Sequence, residues 1–161
     1  MSIIFFLYYI FVKHIGIMRG EVIAMSHIST ELIAPCGMNC GLCSGYTRKK
    51  NPCGGCRGDD ANKPRYCIEC KVVTCEIRTG PFCQCEKPCR RLKDLDKRYR
   101  TKYHMSMLEN LKNIHEWDVE EFARREEERW ACPHCGEIVS VHKKACVHCG
   151  EVWVEEEEEI G

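Results

Sequence analysis

The sequence predicts a small, metal-stabilised α+β fold: an irregular cysteine-rich zinc module, short helices, and a carboxy-terminal zinc-ribbon hairpin. Three observations carry this. Fifteen of the 161 residues are cysteine, a density of about 9 per cent that marks a fold held by disulfides or by metal. The count is odd and the thiols recur as C-x2-C pairs, which suits chelation of one ion better than covalent bridging to distant partners. Between the first eleven cysteines and the last four lies a stretch with helical periodicity and no cysteine.

Residues 1–29 form an apolar extension. "IIFFLYYIFV" (3–12) is ten residues long, half of the roughly 20 that a spanning helix needs, and it lacks the basic start and small-residue cleavage site of a signal peptide. This argues against a membrane role and for a cytoplasmic chain whose thiols stay reduced and open to metals. Met18 and Met25 follow the run, and the motif-bearing sequence opens at "STELIAPC", so the native start could lie later than Met1.

Residues 30–104 are the cysteine-rich metal-binding module. "PCGMNCGLC" sets Cys36, Cys40 and Cys43 in the order C-x3-C-x2-C, the spacing that holds the cluster of radical S-adenosylmethionine enzymes. Such chemistry needs a barrel of roughly 200 residues or more. Only 118 residues follow Cys43, they carry twelve further cysteines, and they show no strand–helix–strand repeat. The expected alternative is that Cys40 and Cys43 join Cys53 and Cys56 of "CGGC" around one zinc, with Cys36 spare or substituting. Cys67 and Cys70 with Cys83 and either Cys85 or Cys89 are candidates for a second ion. Three thiols are then left over, and unligated cysteines are usually small buried hydrophobes. The soft ligand set also admits iron, so the rival assignment is an iron–sulfur electron carrier using four thiolates among Cys36 to Cys89.

"PCRRLKDLDKRYR" (88–100) carries Leu92, Leu95 and Tyr99 at helical spacing, an apolar stripe for the metal module with a charged face outward. In the connector, residues 105–130, Ser106 with Glu109 and Asp118 with Glu121 are capping-box signatures that open two helices. The first should bury Leu108, Leu111 and Ile114, and the second Val119 and Phe122. Glu120 with Arg124 and Glu121 with Arg125 fit as outer-face pairs. Trp117 and Trp130 read as core or junction anchors.

Residues 131–154 give the clearest signal, "CPHCGEIVSVHKKACVHCG". Cys132 and Cys135 form one knuckle and Cys146 and Cys149 another, each followed by a glycine that lets the backbone turn and aim amides at sulfur. "EIVSVHKKA" alternates enough for a two-stranded hairpin. Four thiolates close a tetrahedron and leave no corner for substrate, so the site should be structural, and so small a unit should need its ion to fold. His134, His148 and His142 are expected as exposed bystanders, with a Cys3His site through His142 as the alternative. Residues 155–161 are an acidic, solvated tail.

The motifs "LIAPCGMNCGLCSGY", "CGGCR", "PCRRLKDLDKRY" and "LENLKNIHEWDVEEFARREEERW", followed by the ribbon, resemble the cysteine-rich DUF3795 family across residues 30–153. The resemblance implies metal binding and this domain order, and it implies no reaction. Family members read C-x2-C before the final Pro-Cys, whereas here only Gln84 separates Cys83 from Cys85.

Formal charge is zero but divided. Residues 44–104 hold 16 Lys or Arg against 7 Asp or Glu, and residues 105–161 hold 6 against 15, giving +9 and −9. Neutralisation between the halves, or between two chains, would absorb this. Alternatively Arg90, Arg91, Lys93, Lys97, Arg98, Arg100 and Lys102 contact phosphates while Tyr99 and Tyr103 stack bases. Phosphate loops and dinucleotide fingerprints are absent, and almost every cysteine has a chelating neighbour, which disfavours a nucleophilic thiol. The sequence therefore points to a cytoplasmic zinc protein that works by interaction or scaffolding, with a protein partner.

Overall fold

A computed structural model describes residues 28–152. The apolar run, the later methionines and the acidic tail lie outside the described residues.

Two short 3-10 turns open the described chain, Thr30–Leu32 and Cys40–Leu42, each capped by a side-chain oxygen, from Ser29 and Asn39. Between them the chain doubles back so tightly that Ile33 and Asn39 form a bridge. Gly37 makes this possible: its φ is +84°, and a Cβ there would stand 2.9 Å from the Met107 carbonyl oxygen. Single-turn helices follow, α1 (Ser44–Thr47) and α2 (Arg65–Ile68), joined by irregular chain that carries Cys53 and Cys56. Three longer helices come next: α3 (Arg90–Tyr103), α4 (Met107–Trp117) and α5 (Val119–Arg129). The only named strands among the described residues, β1 (Val139–Ser140) and β2 (Ala145–Cys146), pair antiparallel with Val139 opposite Cys146.

The caps form as the sequence predicts. Ser106 Oγ accepts from the Glu109 amide at 3.1 Å, and Asp118 Oδ1 from the Glu121 amide at 2.9 Å. A further cap comes from outside the helix. Asp96, buried in α3, accepts from the Ser106 hydroxyl at 2.7 Å and from the Leu108 amide at 3.1 Å, while Arg100 approaches its other oxygen at 2.9 Å. Burial alone would raise this carboxyl, but those donors together hold it below its ordinary range. The outer-face pairing differs in one respect. Arg125 meets Glu121 as expected, but Arg124 turns to Glu121 and Glu128 instead of Glu120, because the i,i+3 fork lets one carboxylate take both arginines.

One hydrophobic cluster runs through all three sequence segments: Ile33 and Leu42 from the amino-terminal module, Met107 and Phe122 from the helices, and Val139 and Val141 from the hairpin. Trp130 lies at 0% exposure at their junction. Trp117 stays half-buried at the rim under the Arg125 guanidinium, 4.1 Å from its ring centre. The hairpin is bound to the module by backbone: the Val141 amide and the Ser140 hydroxyl both donate to the Leu42 carbonyl, at 3.0 and 3.3 Å.

Candidate metal centre

The hairpin is an internal repeat. "ACPHCGEI" (131–138) and "ACVHCGEV" (145–152) agree at six of eight positions, and their backbones do the same things fourteen residues apart. Cys132 N donates to the Glu137 carbonyl at 2.7 Å and Cys146 N to the Glu151 carbonyl at 2.8 Å. Bridges join Ala131 to Ile138 and Ala145 to Val152. Gly136 and Gly150 take φ of +79° and +75°, returning amides to the Cys132 and Cys146 carbonyls, a turn that costs other residues strain. Each knuckle thus presents two thiols, and β-pairing sets the two knuckles face to face.

The resulting cluster of Cys132, Cys135, Cys146 and Cys149 keeps all four sulfurs within 4.8 Å of one another and could hold a metal ion. The S···S separations are 3.7 Å for Cys132–Cys149, 3.5 Å for Cys135–Cys146 and 3.6 Å for Cys135–Cys149. A disulfide would bring two of them to about 2.05 Å. Four thiolates with bonds of about 2.3 Å to one tetrahedral ion stand about 3.8 Å apart, so the donor set fits such an ion with little movement. Burial raises the Cys146 thiol, yet the Cys149 and His148 amides, joined by the Cys135 and Cys149 thiols, outweigh it and bring it down to about 6, while the Cys135 and Cys149 thiols that share its proton are raised. One of those contacts is the His148 amide, 3.4 Å from the sulfur. The amides thus favour the thiolate that a cation requires.

The histidines divide. His134 and His148 are exposed, as expected. His142 is neither bystander nor ligand. Its Nδ1 accepts from the Ser44 amide at 3.2 Å, its Nε2 lies 3.0 Å from the Tyr99 hydroxyl, and Tyr99 and Tyr103 meet the ring edge-on. Because a backbone amide can only donate, Nδ1 is unprotonated, and burial with the Arg98 charge lowers the imidazole pKa accordingly. His142 therefore latches the hairpin to α1 and α3. The seven basic residues of α3 are exposed; Arg90 approaches Asp94 at 3.7 Å and Arg100 pairs with Asp96 inside the same helix.

The amino-terminal thiols are gathered differently. Among the described residues, no set of three or more of them comes as close as the hairpin's four. Their neighbourhoods are nevertheless defined. The Cys56 amide donates to Cys40 Sγ at 3.3 Å and the Gly45 amide to Cys43 Sγ at 3.4 Å, contacts of the kind seen at Cys146. Cys53 is fixed by its amide on the Gly45 carbonyl at 2.9 Å. Burial pushes the Cys40 thiol up to about 12, with the Cys56, Cys43 and Cys53 thiols adding to the rise. Cys36, buried, is raised by burial and by Cys56, Cys40 and Cys70. Cys67 is pushed up to about 11 by burial and by Cys43, Cys56, Cys53 and Cys70. Seven thiols, Cys36 to Cys70, thus share one neighbourhood, and Lys63 and Arg57 oppose the rise at Cys56. The thiols acting on Cys83 are instead Cys85, Cys75 and Cys89. The expected set of Cys67, Cys70, Cys83 and Cys85 or Cys89 does not come together as closely as the hairpin's four, and spacing along the chain carries no information about which loop folds back on which. The fourteen-residue repeat, by contrast, was available from aligning the sequence with itself.

Comparison with protein-family models, curated proteins and solved structures finds no match for this chain.

Proposed function

We propose that the chain is a cytoplasmic zinc-binding protein that acts as an interaction or scaffolding module, its hairpin a structural zinc ribbon. The observation that carries this is the four-sulfur cluster with separations of 3.5 to 3.7 Å, a shell that fills every tetrahedral corner and leaves none for catalysis. Zinc suits four thiolates and needs no redox partner. The cytoplasmic assignment rests on the thiol-rich composition, which a reducing compartment keeps open to metals; no helix of the described residues is long and apolar enough to cross a membrane. The resemblance of the 30–153 motifs to DUF3795 supports metal binding in the same way. The test is elemental analysis of protein purified without oxygen, with amide exchange across residues 132–149 before and after chelation. Zinc in the protein, and protection that disappears with it, is the expected result. Metal-free protein with full protection would overturn the reading.

A second reading is favoured by the amides directed at Cys40 and Cys43. Amide donors to sulfur also tune iron–sulfur clusters, so the seven-thiol neighbourhood could hold one and carry electrons while the hairpin keeps zinc. Iron with visible absorbance near about 400 nm would favour this assignment.

A further inference from the structure

We propose that the face where α3 meets the tip of the hairpin, carrying Arg91, Arg98 and Lys102 with Lys143 and Lys144, binds the phosphate backbone of nucleic acid. This rests on the interaction-module reading above and names the partner by its chemistry.

Helix α3 is charged against its own stability. A helix favours anions in its first turn and cations in its last, yet the first turn of α3 holds no acid and carries Arg90, Arg91 and Lys93. Lys93 with Lys97 and Arg98 with Lys102 are like charges four residues apart, which also oppose the helix. Its two acids do not repair this. Asp94 is approached by Arg90 at 3.7 Å, and Asp96 points inward to the Ser106 hydroxyl and the Leu108 amide with Arg100 beside it. Arg91, Lys93, Lys97, Arg98 and Lys102 are exposed and form no ion pair among the described residues. Charges that a helix would reject on its own account mark a surface kept for a ligand.

The surface is ordered and continues onto the hairpin. At 3.6 residues per turn, Arg91, Arg98 and Lys102 share one flank of α3 in a row about 16 Å long. The Tyr99 hydroxyl lies 3.0 Å from His142 Nε2, and the Tyr103 ring stands 4.8 Å from the imidazole. Lys143 and Lys144, next in the chain and exposed, are thereby set beside the carboxy-terminal half of α3. Their amides both donate to the Ser140 carbonyl, at 3.1 and 2.8 Å, and the Ser140 hydroxyl donates to the Leu42 carbonyl, so the tip is a fixed platform. Burial and then the Arg98 charge lower the His142 imidazole pKa, which sets that guanidinium on the hairpin side of the helix.

The chemistry of the face selects the partner. A nucleic-acid strand carries a phosphate about every 3.4 Å of duplex axis, so a row about 16 Å long meets several at once. A protein partner would need an aromatic or apolar anchor. The large apolar side chains that are exposed, Tyr46, Tyr66, Ile68, Ile77 and Val152, all lie off α3 and off the hairpin tip. A membrane surface would need an apolar helix face to insert, but Leu92 of α3 is buried in the core, with Leu95 and Tyr99 packed against it.

The test is fluorescence anisotropy of labelled single-stranded RNA, single-stranded DNA and duplex DNA with the full chain purified without oxygen, across about 0.05 to 0.2 M salt. At least one of the three should bind, with log affinity falling linearly against log salt. Arg91→Gln/Arg98→Gln/Lys102→Gln should weaken binding about tenfold or more and reduce the slope by about 2 to 3, and Lys143→Gln/Lys144→Gln should reduce it by about 1 to 2. Arg124→Gln/Arg125→Gln, on α5, should change affinity by less than about twofold at the higher salt. Equal losses in all three variants would show that binding follows net charge alone and would overturn the proposal. So would equal affinity for polyglutamate or for phosphatidylserine vesicles. A further overturning result is no binding at the lowest salt, either by the wild type or by a variant whose glutamates at 155–159 are glutamine. Zinc content and exchange protection of residues 132–149 are read on the same samples. Their absence from the wild type counts against the zinc-ribbon reading, whereas zinc and protection without binding count against this proposal alone.

Discussion

The hairpin and the amino-terminal module are both built on thiols, but they bring them together by opposite means. In the hairpin all four sulfurs come from eighteen consecutive residues, placed by two copies of one knuckle and a two-residue strand pair. In the module, eleven thiols from Cys36 to Cys89 lie on loops and short helices docked by remote contacts, among them Gly37 packed under the Met107 carbonyl and the Cys83 amide on the Pro35 carbonyl. A local site is specified by spacing. An assembled one is specified by the contacts that dock its segments, so the two regions should fail for different reasons.

The largest effect should come from Cys146→Ser. On the proposed reading it removes a ligand of an ion that would contribute on the order of 10 kcal/mol to folding, as in comparable small zinc units. Protection across residues 132–149 should collapse while α3 and α4 keep theirs. Equal loss in both regions would show that the hairpin is not an independent metal-coupled unit.

Asp96→Ala strikes the other region. It leaves the amide end of α4 and Arg100 without their buried partner, a loss of about 3 kcal/mol, read as a lowered urea midpoint. Since donors hold the Asp96 carboxyl below its ordinary range, its contribution is present above the unfolded value and is lost as pH falls through the folded one. The wild type should therefore lose stability in acid more steeply than the variant.

The seam between the regions gives smaller, pH-dependent effects. Burial pushes the Glu126 carboxyl up to about 7, against the opposing pull of Arg129, Trp130 and Asn39. With a raised folded pKa, its stabilising contribution is full below the unfolded value and fades as pH rises through about 7. Glu126→Gln should accordingly gain about 2 kcal/mol at pH 8 and little at pH 5; equal midpoints at both values would contradict that burial effect. His142 runs the other way. Its lowered pKa means that its contribution is full above the ordinary imidazole value and is lost as pH falls. His142→Ala should cost about 1 kcal/mol near neutrality and less in acid, seen as reduced protection of the Ser44 amide.

These seam residues show where sequence stops being informative. The knuckles, the hairpin, the Ser106 and Asp118 caps and the apolar stripe of α3 were legible because each depends on residues within a few positions of one another. Asp96 reads as one more charge on an exposed helix face, and only the fold reveals that it caps α4. His142 reads as a loop histidine until Ser44 and Tyr99, remote in sequence, close on its two nitrogens. The grouping of Cys67, Cys70 and Cys75 is likewise a property of loop docking, which spacing does not encode. The pronounced charge division was legible as a number and silent as to purpose.

That last point carries the smallest structural effect. Neutralising Arg90, Arg91, Arg98 and Arg100 should shift stability by about 1 kcal/mol or less apart from the Asp96 pairing, because the other three lie on an exposed face. If α3 contacts nucleic acid, low-salt binding should weaken and its salt slope flatten in this variant.

The central claim, a closed thiolate shell in the hairpin, is tested most directly by zinc-edge X-ray absorption on full-length protein in which the eleven cysteines from Cys36 to Cys89 are replaced by serine, leaving the hairpin's set intact. The account expects one zinc per chain with four sulfurs at about 2.3 Å and no lighter ligand. A shell containing nitrogen or oxygen, or protein that folds this hairpin without bound metal, would contradict it.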